Sequence, residues 1–134
     1  MEALSEISQL FRMNVSVYYN AQACGGYHLE ATHIGRTVFH MVTKGECNLV
    51  VPNEIDTTMH HGDIVFFPRE IAHSVRPVGN AFGEQELIPL DQVGDRPGTG
   101  IICAEATFNH TGSAHILDAL PNVFIVRYDA GNQW

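Results

Sequence analysis

Short apolar runs rich in β-branched and aromatic residues, separated by polar turn residues, recur along most of this chain, the mark of strands. The run Val38-Phe39-His40-Met41-Val42-Thr43 is β-branched and aromatic, reaches the turn Lys44-Gly45-Glu46, and continues as Cys47-Asn48-Leu49-Val50-Val51. Further on, Gly62-Asp63 precedes Ile64-Val65-Phe66-Phe67. Pro68 cannot donate to a ladder and ends that strand, and His73-Ser74-Val75-Arg76 opens the next. The pattern predicts two hairpins laid end to end over residues 38–77, with His40 and His73 on neighbouring strand segments.

On either side the same logic applies. Leu4, Ile7, Leu10 and Phe11 recur at helical spacing, so residues 3–13 are expected to form a short amphipathic helix. Strands follow over residues 15–19, 27–32 and 56–59, with Pro52-Asn53-Glu54 as a turn. Strands thus arrive every eight to twelve residues or so, the spacing of a sandwich or barrel. From residue 78 to 98, Gly79, Asn80, Gly83, Pro89, Asp91, Gly94, Pro97 and Gly98 interrupt every period, which predicts a long mobile loop. Residues 99–108 read as a buried strand, 114–120 as a short helix stopped by Pro121, and 123–128 as a last strand.

The composition narrows the function. A chain of 134 residues with 45% apolar content forms one domain able to bury roughly two-thirds of its surface without a metal or disulfide. No apolar run approaches the roughly 18 residues of a membrane span, and the acidic start Met1-Glu2-Ala3-Leu4-Ser5-Glu6 is unlike a signal peptide. Three widely spaced cysteines read as reduced thiols, and a cytoplasmic location follows. Seven basic against fifteen acidic residues, net −8, oppose direct contact with a phosphate backbone. No Gly-x-Ser-x-Gly, phosphate-binding glycine loop or spaced carboxylate pair is present. Trp134 at the end has no continuation to pack against, so the natural polypeptide is expected to go on.

Two resemblances bear on the same residues. Gly62, Pro68, Glu70 and His73 resemble the second cupin motif, Gly-x5-Pro-x-Gly-x2-His-x3-Asn, with Glu70 in place of the glycine and Pro77 in place of the asparagine. Counted back from Gly45, the cupin glutamate position falls on Val38 and its two preceding histidines near Ala31 and His33, so the usual metal set is mostly missing. Across nearly its whole length the chain is similar to the cupin-type N-terminal domain of AraC-type transcriptional regulators. The features are the leading helix, Cys24-Gly25, Phe39-His40-Met41-Val42-Thr43-Lys44-Gly45, and Gly62-Asp63-Ile64-Val65-Phe66-Phe67-Pro68-Arg69 with His73. Ile101-Ile102-Cys103 and Leu117-Asp118-Ala119-Leu120-Pro121 complete them. The resemblance implies a mainly β, cupin-like double-stranded β-helix (a jelly-roll barrel) with a short helix at each end. It also implies a homodimer that binds a small-molecule effector inside the barrel and reaches DNA only through a downstream helix-turn-helix domain absent from residues 1–134. It implies neither catalysis nor contact with a membrane.

Candidate chemistry gathers at the strand block. Alternation puts His40 on one face with Val38 and Val42. In a cupin-like arrangement His73 would also point inward and Cys103 could reach the same space. Two imidazoles and a thiolate suit zinc with one position left open. The same residues also read as hydrogen-bonded pocket lining and a small buried hydrophobe, and both alternatives stand at this point. The expected ligand-binding residues are His40, His73, Phe39, Val42 and Phe66, and the expected metal ligands His40, His73 and Cys103. A stand-alone metal-dependent cupin enzyme, such as a small oxygenase or isomerase, is the alternative function, and a side-chain-filled dimerisation module is a third.

Overall fold

The computed structural model describes residues 13–79, 83–108 and 117–128. Ten strands are present among them: β1 (Met13–Cys24), β2 (Leu29–Glu30), β3 (Thr37–Lys44), β4 (Glu46–Val51), β5 (Ile55–His60), β6 (Ile64–Phe67), β7 (Ser74–Arg76), β8 (Glu86–Pro89), β9 (Thr99–Phe108) and β10 (Phe124–Val126). They form two antiparallel sheets. The larger runs β10-β6-β3-β9-β1-β8 and the smaller β2-β7-β4-β5, and the chain crosses between them at every connection except β4–β5, β8–β9 and β9–β10. Mainly β, two-layered and antiparallel, the architecture agrees with the sandwich that strand spacing predicts and with the cupin fold that the resemblance implies.

The core lies between the sheets because each strand turns its apolar alternate residues inward. From the larger sheet come Val38, Val42, Val65, Phe67 and Ile101, and from the smaller Cys47, Leu49, Val51, Met59 and Val75. Burial of each such aliphatic or aromatic side chain is worth roughly 1.5–3 kcal/mol. Residues one step out of phase, Phe39, Met41, Ile64 and Ala104, form a second buried cluster on the opposite face of the larger sheet, with Phe66, Val15 and Ile102 against it.

The expected pair of hairpins is corrected. β3 pairs with β6 and β9, whereas β4 pairs with β5 and β7. The turn at Gly45 is therefore a corner between sheets, and β6 and β7 likewise lie in different sheets. Alternation specifies which face of a strand is buried but not which strand lies beside it. Gly45 has φ 71°, and a Cβ there would stand 2.9 Å from the Gly98 carbonyl oxygen, so the corner requires glycine. The hairpin that does form joins β4 to β5 through Pro52-Asn53-Glu54, with Asn53 at φ 65°.

The expected loop over residues 78–98 is corrected as well, since it carries β8 and a 3₁₀ turn over Leu90–Gln92. β8 is a short edge strand with one buried side chain, Ile88, and a terminal proline, so it has too little alternation to be visible. It pairs with the far half of β1, which runs on to Cys24.

The helix expected over residues 3–13 lies outside the described residues, except that Met13 opens β1. The helix expected over residues 114–120 lies partly outside them too. Its described end is one turn, closed by the Leu120 N–H donating to the Leu117 carbonyl at 3.0 Å, so neither helix finds support here. Arg69 holds that turn by donating to the carbonyls of Leu117 (3.1 Å) and Leu120 (2.9 Å) and to Asn122 Oδ1 (3.2 Å). Among the described residues no helix is long and apolar enough to cross a membrane.

Asp63 clasps the end of the chain. Its buried carboxylate accepts from the backbone N–H of His60 (2.9 Å) and of Tyr128 (2.8 Å) and from Arg127 Nη1 (3.0 Å). Burial, the largest single influence, pushes this carboxyl up, but those donors together outweigh it and hold it below the usual carboxylate range.

Candidate metal and ligand site

His40 occupies the middle of β3, pointing inward between Val38 and Val42 as alternation requires. His73 immediately precedes β7 in the facing sheet. The two rings meet across the sandwich, and do not lie side by side on paired strands: their Nε2 atoms are 3.0 Å apart. Phe67 fixes both rings, stacking on His73 at 4.3 Å between centroids and presenting an edge to His40 at 5.8 Å. The Nδ1 of His73 donates to the Ile71 carbonyl at 2.9 Å, which leaves its Nε2 as a lone pair turned inward. His40 Nε2 can meet that lone pair only by donating to it, and the buried His40 Nδ1 has no partner among the described residues. Burial first, then the neighbouring His73 and His33, pull the His40 pKa down to about 3, so the ring is neutral at physiological pH.

The third member is Glu70, in the loop between β6 and β7. Its backbone is fixed on both sides, the N–H donating to the Arg36 carbonyl at 2.7 Å and the carbonyl accepting from the Gly35 N–H at 2.9 Å. Its Oε1 accepts the His33 backbone N–H at 2.5 Å, while the buried Oε2 finds no partner among the described residues. One ligand atom each from His40, Glu70 and His73 lies within 4.8 Å of the others. Two neutral imidazoles and a carboxylate are a donor set compatible with a divalent cation.

Above this base opens a cavity of about 360 Å³. Leu29, Val75 and Ile101 give it apolar lining and Tyr18, Tyr19 and Cys103 more polar lining, and the exposed His28, Gln85 and Leu87 line it too. Two consecutive residues of one strand face the same space because the β1–β9 register slips between Val17 and Tyr19, a bulge that re-aims both rings. Tyr18 stacks on His33 with centroids 4.0 Å apart, whereas the buried Tyr19 hydroxyl has no partner among the described residues. Burial, then the neighbouring Cys103 and Cys24, push the Tyr19 phenol up to about 12.

The residues expected from sequence fall into three groups. His40 and His73 come together at the base. Cys103 sits opposite His40 in the β3–β9 register and lines the cavity, but its sulfur is not among the converging ligand atoms, where Glu70 stands instead. Burial, then Glu70 and Cys47, push its thiol up to about 12. Val42 is in the core but does not line the cavity. Phe39 and Phe66 are corrected: paired with each other on β3 and β6, they belong to the cluster on the far face of the sheet. Alternation allows no other outcome, since Phe39 adjoins an inward His40. The residues not anticipated are Glu70, Tyr18 and Tyr19. Glu70 carried a signal, being an acid at the glycine position of the motif, whereas the bulge that turns the tyrosines inward left none.

A family model described as Cupin matches residues 2–134. The chain is a cupin. No curated protein matches it significantly. In this cupin the position that resembles the family's glutamate holds the buried Val38, so the carboxylate at the cavity base comes from the β6–β7 loop instead of from β3.

Proposed function

We propose that this cupin is the effector-binding domain of an AraC-type transcriptional regulator, cytoplasmic and dimeric, which receives a small molecule in the cavity between its sheets and performs no turnover itself. One observation carries the proposal: a cavity of about 360 Å³ with apolar walls and a few converging polar groups at its base, the character of a small-molecule receptor. The net charge of −8 agrees with a domain that leaves DNA contact to another part of the regulator. Zinc is the metal this proposal admits, held at the pair His40 and His73. It would supply a positive centre toward which a ligand oxygen or nitrogen could turn, while the protein's own groups orient that ligand and exclude water.

Thermal denaturation with candidate effectors tests the proposal. A ligand selective for the folded state at a hundred times its Kd adds about 2.7 kcal/mol, a shift of order 10 °C for a domain this size. The shift is expected in the wild type and not in His40→Ala. A broad panel in which no compound class moves the midpoint would remove the support for sensing.

The alternative, a metal-dependent cupin enzyme, draws on a separate observation: Glu70 restores a carboxylate beside the two imidazoles, the requirement that Val38 leaves unmet. Steady-state consumption of a small substrate by the metal-loaded chain would favour it over the sensor.

A further inference from the structure

We infer that Glu70 is the third protein ligand of a divalent-cation site with His40 and His73, and that Cys103 is a wall of the cavity and not a ligand. The inference deepens the proposed function, because the cation would sit at the base of the same cavity.

Three independent features converge on it. The first is proton bookkeeping. With His73 Nδ1 committed to the Ile71 carbonyl, its Nε2 is a bare lone pair, and the His40 Nε2 aims at the same point from 3.0 Å. While both rings are neutral, at most one proton lies between the two nitrogens, and it cannot also serve the buried Glu70 Oε2, which has no donor among the described residues. Three lone-pair atoms that face one another with one proton among them are under-satisfied. A cation satisfies all three.

The second feature is that outer contacts are in place for two of the three ligands, His73 and Glu70. His73 is oriented by a backbone carbonyl and Glu70 by the His33 N–H on Oε1, with its backbone fastened to Gly35 and Arg36. Metal-bound histidines and carboxylates are characteristically held in this way. The third feature is charge. Among the described residues lining the cavity there is no lysine or arginine to pair with Glu70 in place of a cation.

The test uses the full chain without a polyhistidine tag, stripped by a chelator and then titrated with Co²⁺ and with Zn²⁺. We expect one ion per chain by elemental analysis, visible ligand-field bands with Co²⁺, a raised thermal midpoint, and no near-ultraviolet thiolate-to-cobalt absorption. Glu70→Gln should weaken binding by about tenfold to a hundredfold. Glu70→Gly, which carries the residue of the cupin motif, should do at least as much. Cys103→Ala should leave affinity unchanged. The wild-type cobalt spectrum is informative even if a variant folds poorly. Wild-type binding with full strength in both Glu70 variants, a thiolate band, or loss of affinity in Cys103→Ala would overturn the assignment. So would a stripped chain that takes up neither ion, and if that chain still responded to an organic effector the sensing function would survive without the cation site.

Discussion

Tyr19 and Asp63 show how differently two buried polar side chains can be used. The enclosed Tyr19 hydroxyl has no partner among the described residues, so Tyr19→Phe removes a desolvated group that gains nothing from them in the free protein. We expect stability to stay level or rise by up to about 1 kcal/mol in urea denaturation, with weaker binding of any ligand that reaches that wall. Asp63 is the opposite case, with three donors on one carboxylate, and Asp63→Ala should cost about 2–4 kcal/mol by the same measurement. Because its folded pKa is depressed, the stability it adds is fully present above the unfolded carboxylate pKa, near 4, and is lost as pH falls through the lower folded value. A wild-type chain whose acid destabilisation matches that of Asp63→Ala would contradict this. At this scale the sequence was legible where chemistry stood out against a pattern, as with His40 and His73, whereas Glu70 showed only as a departure from the motif and not as a ligand. It was not legible where a side chain's role depends on a neighbour brought in from afar, as with Asp63 and Arg127.

Strands and their turns were legible as pieces. Apolar runs bounded by turn residues located β3, β4, β6 and β9 and the spacing of turns located β5, and Pro52-Asn53-Glu54 marked a turn that exists. Pairing was not legible, because a tight turn at Gly45 serves a hairpin and a corner between sheets equally well. β8 and the bulge at Tyr18 were invisible for a related reason: each is defined by register against another strand. Two expectations belong to this scale. Gly45→Ala would force a side chain into φ 71° and against the Gly98 carbonyl, and should cost about 1–3 kcal/mol in thermal or urea unfolding. Phe39→Ala should cost about 3–5 kcal/mol, because Phe39 is 3% exposed in the outer cluster, yet leave cavity affinity unchanged in calorimetric titration. A variant that loses affinity while keeping its stability would place Phe39 inside after all.

For the molecule as a whole, the two sheets bring together what the sequence keeps apart: an imidazole from each layer and a carboxylate from a loop, under a cavity open at one end. The fold class was legible because strand spacing and one motif agree. The occupant was not, because the cavity's shape arises from strand crossings that no local stretch records. The central claim is that His40 stands inside the sandwich against His73, shielded from water, and a pH titration of the His40 ring by NMR in the metal-free chain tests it most directly. Its folded pKa lies below the unfolded value, so it favours the folded chain least at low pH, and stability should rise with pH between about 3 and 6.5. The account expects the His40 resonances to stay those of a neutral ring throughout pH 5–8 and to move only toward about 3. A ring that protonates near the ordinary histidine value of about 6.5 would place it in water and contradict the account.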